Sequence, residues 1–551
     1  MHHISVIKYL SIYALIGTIC VSRRAAMKRT LTAIALSLLL IAAFGATVLG
    51  ATPVKGGTLK VAVTSIQQLG LYKSASNDEN DATSLIFDQL FIIGKQDFKP
   101  VPHLAESWSN PDPLTWVFKI RKGTMFHDDN AVFPKGKSRE VTADDVVYSI
   151  NRMIKNSTSF VLGPIKSVEA LDRYTVEIKT ETAQPFLVND SNRLARMSVV
   201  PKEAIDKLGE DGFAKTPIGS GPFKFKGFSP DSGLLIVRND LYWLPVYLDA
   251  VEFVTIPDPA VQTIALQSGE VHVVKHLFNL EVAQTFEKNP NFNLFSRGGS
   301  YRGLGFNVTV APYDNFEVRD AISKILDIDS AFKAVIGAHG ERAYGQCPPW
   351  VPHGYDPTLK SLWSYDPAAG LKLLEKNGFK DTNNDGFLEW NGKPFKVEIK
   401  TLAGSQVKVL TILATQLREK GINAGVLQQD TAVWADDLVQ GKTTMFFDYS
   451  FAGTTGFHSL FHSSMIGKAN THYFKNAEVD KLLDEALTKT NFNELSALWK
   501  KAQKIVFEQR AGIPMYFEWS YMIAHKKVND IVPPWGGFNL VTVENNVWLS
   551  K

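Results

Sequence analysis

The chain has 551 residues, 45% of them hydrophobic, with 59 lysines and arginines, 56 acids and two cysteines. That length and composition suit a soluble globular protein with more than one core. Five of the basic residues (Lys8, Arg23, Arg24, Lys28 and Arg29) lie in residues 1–50, which hold no acid; the remaining 54 face 56 acids, a net charge of −2. A body without basic excess does not suit a phosphate backbone, so no nucleic-acid partner is expected.

In chain order, Lys28 and Arg29 precede an uncharged run from Leu31 to Ala51 that ends in small residues, the pattern of an export signal. Val48 and Gly50 suit the −3 and −1 positions of a cleavage site. The run is also close to the roughly 20 residues that span a bilayer, so an uncleaved anchor stays open as the alternative. On either reading the body is periplasmic or extracellular. A further apolar run, Tyr9 to Val21, lies upstream, and Met27 is the more natural start. Cys20 follows Ile19 rather than a small residue, which does not support a lipid anchor, and Cys347 is alone in the body, so no internal disulfide can form.

Beyond the leader, "GGTLKVAV" (Gly56–Val63) is a glycine turn feeding a strand. Trp116, Phe118 and Ile120 alternate with Val117, Lys119 and Arg121, and Tyr174, Val176 and Ile178 with Thr175, Glu177 and Lys179, which predicts two half-buried strands. "TADDVVYSINRMI" predicts a helix from Thr142, with acids in its first turn and Val146, Ile150 and Met153 at helical spacing. Further helices are predicted over Phe316–Ile325, Pro367–Asn377, Val407–Glu419, Glu478–Leu487 and Glu494–Glu508. Strands and helices intermingle, giving an α/β or α+β class. No repeat or long linker divides the body.

Catalytic signatures fail at residues their chemistry needs. "GKTT" from Gly441 would require glycine at Asp436 to be a phosphate loop, and "GLGFNV" from Gly303 has Val308 where a dinucleotide fingerprint needs a small residue. Neither a G-x-S-x-G elbow nor an H-E-x-x-H helix occurs. A secreted hydrolase stays only as a remote alternative, because acid/base carboxylates need no local motif. Two constellations offer metal donors. In "DTNNDGFLE", Asp381, Asn383 and Asp385 stand at odd positions before Gly386, the first half of a calcium loop. The closing acid of a full EF-hand would fall at Gly392, leaving Glu389 to serve, so a polar turn and a calcium site are both open readings. In "HSLFH", His458 and His462 would point the same way on a helix, although a polar cleft loop suits their neighbours better than a metal or haem site.

One family accounts for the motifs taken together. The chain carries "GGTLKVAV", "HLAESWSNPDPLTWVFKIRKGTMFHDD" (His103–Asp129), "VTADDVVYSINR" (Val141–Arg152), "IGSGPFKF" (Ile218–Phe225), "RNDLYW" (Arg238–Trp243), "ALQSGEV" (Ala265–Val271), "GFN" (Gly305–Asn307), "VRDAISKILD" (Val318–Asp327), "YDPAAGLKLLEKNGF" (Tyr365–Phe379) and "IPMYF" (Ile513–Phe517) in that order. Along nearly its whole mature length it resembles the family 5 solute-binding proteins of ABC importers, the peptide/nickel-type group. The resemblance implies a non-enzymatic, monomeric, class II type two-lobed α/β clamp of the periplasmic-binding-protein kind with an additional subdomain. It places lobe 1 at 54–88, 215–303 and 511–551, the subdomain at 89–214 and lobe 2 at 304–510. It also implies a small ligand handed to permease subunits with cytoplasmic ATPases, and no cofactor apart from the candidate structural calcium.

By position in the family pattern, the strand with main-chain ligand contacts corresponds to Ala452, Gly453, Thr454 and Thr455, while Tyr301 and Glu518-Trp519-Ser520 fall at the crossovers between lobes. Trp434 matches a tryptophan common near the cleft, with a core role equally open, and His458 neighbours the same stretch. The aspartate that holds a peptide's α-ammonium in relatives is replaced by Phe457, and the strand's usual tryptophan by Thr454. A buried ammonium needs an anionic partner, so Glu518 becomes the substitute candidate, and an oligosaccharide or other neutral solute stands beside an oligopeptide as ligand.

Overall fold

The computed structural model describes residues 52–551 except 72–75, 95–98, 156–164, 185–186, 189–197, 278–279, 352–353, 451–453, 490 and 534–537. The predicted leader and the site candidates Ala452 and Gly453 lie outside the described residues. The elements that build the site are, in chain order, β1 (Thr58–Val63), α1 (Asn77–Ile86), β2 (Ala105–Asp112), β3 (Thr115–Ile120), α2 (Ala143–Lys155), β4 (Ile165–Asp172), β5 (Thr175–Thr180), β6 (Phe223–Ser229), β7 (Gly233–Arg238), β8 (Ala250–Thr255), α3 (Pro259–Ser268), β9 (Val273–Leu277), α4 (Leu280–Glu287) and β10 (Phe292–Phe306). They continue with α5 (Phe316–Ile325), β11 (Gly340–Arg342), α6 (Pro367–Lys376), β12 (Lys396–Leu402), α7 (Gln406–Arg418), β13 (Asn423–Gln429), α8 (Thr431–Val439), β14 (Met445–Ser450), α9 (Thr454–Phe461), α10 (Ala477–Leu487), α11 (Phe492–Glu508) and β15 (Gly512–His525).

Local chemistry explains why the predicted elements form. Trp116, Phe118 and Ile120 are buried while Lys119 is exposed, as the alternation requires. At the start of α2 the Asp145 carboxylate accepts the Thr142 N–H (2.9 Å), half of a capping box. Asn315, Asp366, Asn476 and Asn491 cap α5, α6, α10 and α11 with side-chain oxygens. No helix among the described residues is long and apolar enough to cross a membrane.

Eleven described strands share one sheet, in the order β13-β12-β14-β10-β15-β9-β1-β8-β7-β6, with β11 paired to β15. β1 runs parallel to β8 and β9, and β12 runs parallel to β13 and β14. The long strands β10 and β15 are antiparallel from Phe292 opposite His525 to Gly305 opposite Gly512, and only they pass through both halves of the sheet. One apolar core gathers residues of β1, α1, β8 and the C-terminal segment around Leu59, Leu85, Phe253 and Leu540. Another gathers α5, α7, β12 and β14 around Ile322, Leu413, Ile399 and Phe447. Between them the β10–β15 register slips at Gly298/Tyr301, where a Cβ on Gly299 would run into the Glu518 carbonyl oxygen.

A second sheet, β2-β3-β5-β4, lies within the predicted subdomain. It has no separate core: Trp116, Phe118, Val176 and Ile178 belong to the same apolar cluster as Leu59 and Phe253. The "GSGPF" bend joins the two parts. A Cβ on Gly219 or Gly221 would collide with the carbonyls that end α1, and Gly221 donates its N–H to the Ile86 oxygen (2.9 Å). His127 seals the bend from the other side, with Nε2 2.9 Å from the Gly221 oxygen and Nδ1 accepting the Gly219 N–H (3.3 Å). Burial lowers its pKa from 6.5 to about 4, and His272, whose Nδ1 accepts the Lys60 N–H, is also lowered to about 4 by burial and by nearby Lys527.

These depressed values predict acid sensitivity of definite sign. A histidine held neutral when folded binds its proton more readily when unfolded, so its contribution is fully present above pH 6.5 and is lost as the pH falls toward 4. For His127 the shift corresponds to about 3 kcal/mol. Urea unfolding between pH 7 and 4 should therefore show falling stability, with a shallower fall in His127→Gln.

Candidate functional site

In an open α/β sheet the crevice for a ligand lies outside the carboxyl ends of parallel strands. Here those ends occur twice, at β1, β8 and β9 in the first half and at β12, β13 and β14 in the second. The helices that follow β9 and β12 meet: Glu281 in the first turn of α4 pairs with Lys408 in the first turn of α7. The two sets of strand ends therefore face one another, with the β10–β15 crossover as the floor between them.

At that floor the predicted residues converge. Tyr301 is fully buried, pairs in register with Phe517 on one side and Ser450 on the other, and packs its ring 6.1 Å from that of Phe517. Burial, and then nearby Asp448, push its pKa well above the usual phenol value. Trp519 lies half-buried opposite Gly298, and Ser520 is buried opposite Arg297. Glu518 is buried, and its Oε2 accepts from Arg302 Nε (2.9 Å) and Nη2 (2.7 Å), while Oε1 accepts the Ser405 hydroxyl. The expectation that Glu518 supplies a free carboxylate for a ligand ammonium is thereby corrected: Arg302 already balances its charge. On the first-half side, Asp78 and Asp81 are likewise bridged by buried Lys275 (2.7 and 3.0 Å). Burial opposes that lysine's charge, but Asp81 and Asp78 outweigh it and hold its pKa above the ordinary value.

The stretch after β14 differs from the predicted ligand strand. β14 ends at Ser450, and Thr454 and Thr455 begin helix α9. Phe457 is not a cleft residue: it is fully buried in a third apolar cluster, with ring centroids 5.0 Å from Phe461 and 6.0 Å from Trp499. Helical spacing turns it inward against α11, where an aromatic side chain gains more from burial than from exposure. Trp434 is buried with Leu438 and Phe446, and its face stacks on Tyr449 (5.7 Å, 28°), whose ring is in turn 5.5 Å from the Arg302 guanidinium. Arg302, Ser405 and Tyr449 escaped the sequence reading. Their only signal was adjacency: Arg302 follows Tyr301, and Tyr449 ends the strand before the predicted ligand stretch.

Both metal candidates have gathered donors. His458 on α9 stacks at 4.7 Å on His462, which directly follows that helix, and His462 Nε2 lies 3.3 Å from Asp484 on α10 while Nδ1 lies 2.7 Å from the Ser464 hydroxyl. One donor atom each from Asp381, Asp385 and Glu389 lie within 4.8 Å of one another. That loop leads through a short hairpin into the amino end of β12, and Leu388 donates its N–H to Gly421 just before β13. It is therefore at the edge of the sheet opposite the cleft.

Residues 99–472 match the family model described as bacterial extracellular solute-binding proteins, family 5 Middle. The oligopeptide-binding protein AppA of Bacillus subtilis (strain 168) is 29% identical over 501 residues, covering 85% of this chain and 88% of that one. Heme-binding protein A of Haemophilus influenzae is 27% identical over 465 residues, covering 79% and 82%. The solved structure of the ABC transporter-associated periplasmic binding protein DppA from Helicobacter pylori, in complex with the peptide STSA, matches with a TM-score of 0.70 at 26% identity, covering 90% of this chain and 99% of that one. The fold is thus the two-lobed α/β architecture of the periplasmic binding proteins.

The Arg302–Glu518 pair yields a direct test. Removing one partner of a buried pair strands the other's charge, at a cost of about 3–5 kcal/mol. Arg302→Met should lower the free energy of unfolding by that amount in urea titration, and adding Glu518→Gln should restore part of it.

Proposed function

The chain belongs to the bacterial extracellular solute-binding proteins of family 5, and from that premise we propose that it captures a peptide between its lobes outside the cytoplasm and hands it to the permease of an ABC importer. The observation that carries the reading is the pair of carboxyl-end strand edges facing each other across a crossover of only two strands. A ligand there touches both lobes only when they are closed, so its binding energy favours closure. We take the lobes as 54–88, 215–303 and 511–551 against 304–510, with 89–214 as a subdomain sharing the first core. Export rests on the leader, and the role is binding without turnover.

The peptide class is supported by the relatives' ligands, oligopeptides for AppA and the peptide STSA for DppA. The manner of holding differs from an ammonium–carboxylate anchor. Phe457 is in the core, Glu518 is paired with half-buried Arg302, and Asp78 and Asp81 are paired with buried Lys275. We propose that main-chain groups and aromatic faces hold the peptide, so that its N-terminal charge contributes little. A neutral oligosaccharide is the second reading, favoured by the exposed Tyr449 ring backed by Trp434, a platform on which the apolar face of a sugar can stack.

Two outcomes are expected. In calorimetry against matched peptides, acetylating the N-terminus should weaken binding by less than about tenfold, equivalent to 1.4 kcal/mol. Small-angle scattering should show a smaller radius of gyration on saturation. Binding of glycans with no response to peptides would select the sugar reading, and no ligand-induced compaction would reject the clamp. Phe457→Asp should not create a peptide anchor: a carboxylate buried against Trp499 should lower stability by about 3 kcal/mol or more, read as an earlier denaturation midpoint.

A further inference from the structure

We propose that the loop Asp381–Glu389 is a calcium site that ties the amino-terminal edge of the second lobe together, at the sheet edge opposite the cleft. Three observations carry this. First, Asp381, Asp385 and Glu389 each present a carboxylate oxygen within 4.8 Å of the others. None of the three forms an ion pair with a lysine or arginine among the described residues. Like charges this close repel unless a cation neutralises them.

Second, Glu389 is 93% buried (7% exposed), and its carboxylate is divided in function. Oε2 accepts the Thr382 N–H (2.6 Å) and hydroxyl (2.7 Å), which fixes the group, whereas Oε1 is buried with no hydrogen-bond partner. An unpartnered anionic oxygen out of water is costly, and a cation shared with Asp381 and Asp385 would satisfy it.

Third, the loop's own hydrogen bonds leave oxygens over. Asp381 Oδ2 accepts the Gly386 N–H and Asp385 Oδ1 accepts the Phe387 N–H, while Asn383 Oδ1 accepts the Asp385 N–H. Asp385 Oδ2 also accepts from Asn383 Nδ2 (3.1 Å), so the oxygens left without a partner are the second one of Asp381 and Glu389 Oε1. A cation would take these two together with the remaining lone pairs of Asp385 Oδ2 and Asn383 Oδ1, with water completing the shell. An all-oxygen set with three carboxylates suits calcium, which takes six to eight oxygen ligands at variable angles. Magnesium demands a tighter octahedron, and the absence of nitrogen and sulfur donors from the set disfavours zinc or nickel.

The test uses the full-length protein stripped with EGTA. Calcium at 1–2 mM should raise the midpoint of thermal unfolding by about 2 °C or more, and the same magnesium concentration should not. Terbium bound to wild type should luminesce on excitation of Trp390, which follows Glu389 in the chain, and calcium should displace it. Asp381→Asn with Asp385→Asn should abolish both responses while leaving the midpoint in EGTA unchanged or raised, because repulsion is relieved; a purely structural turn would not separate the two conditions. Equal wild-type midpoints in EGTA and calcium, with no displaceable terbium signal, would overturn the proposal, and this readout needs no variant to fold.

Discussion

Everything in this protein depends on the antiparallel pairing of β10 with β15. These two strands supply apolar residues to both cores: Phe295, Met522 and Ala524 at one end, Leu304 and Ile513 at the other. Main-chain hydrogen bonding continues through the boundary, while side-chain packing changes partners there. The boundary is marked by glycine, because at Gly298 and Gly299 the Trp350 ring and the Glu518 carbonyl leave no room for a Cβ. The lobe closure proposed above would turn on this two-strand connection with slipped register, each core staying packed.

That same boundary concentrates charge in a dry environment. Arg302 with Glu518, and Lys275 with Asp78 and Asp81, are pairs in which desolvation is offset by short, multiple hydrogen bonds. The carboxylates of Glu518, Asp78 and Asp81 are thereby each engaged by a cation of the protein itself. On the reading proposed above, recognition falls to main-chain groups and the exposed ring of Tyr449, which Trp434 backs.

On its far edge the second half of the sheet carries the gathered carboxylates of Asp381, Asp385 and Glu389. The Asp381–Glu389 loop closes against Gly421 at the amino ends of β12 and β13, opposite the strand ends that form the cleft. With calcium held at one and ligand at the other, as proposed above, stability and recognition fall at opposite edges of one sheet.

Local patterning was enough to find the helices and strands. Caps such as Asn315, Asp366 and Asn491 act within a few residues, and the alternation at Trp116–Ile120 reports burial directly. The order of motifs identified the family, and the carboxylates of Asp381, Asp385 and Glu389 lie together in the structure. What sequence could not decide was where a side chain points once distant elements pack. Phe457 occupies an anchor position by alignment, yet α11 brings Trp499 to cover it. Glu518 was legible as a carboxylate, but its neutralisation required Arg302 from a strand 216 positions away in the chain and Ser405 from a third segment. Secondary structure and donor spacing depend on near neighbours and are written in the chain, whereas the charge left free in a cleft is set by long-range pairing that only the tertiary structure brings about.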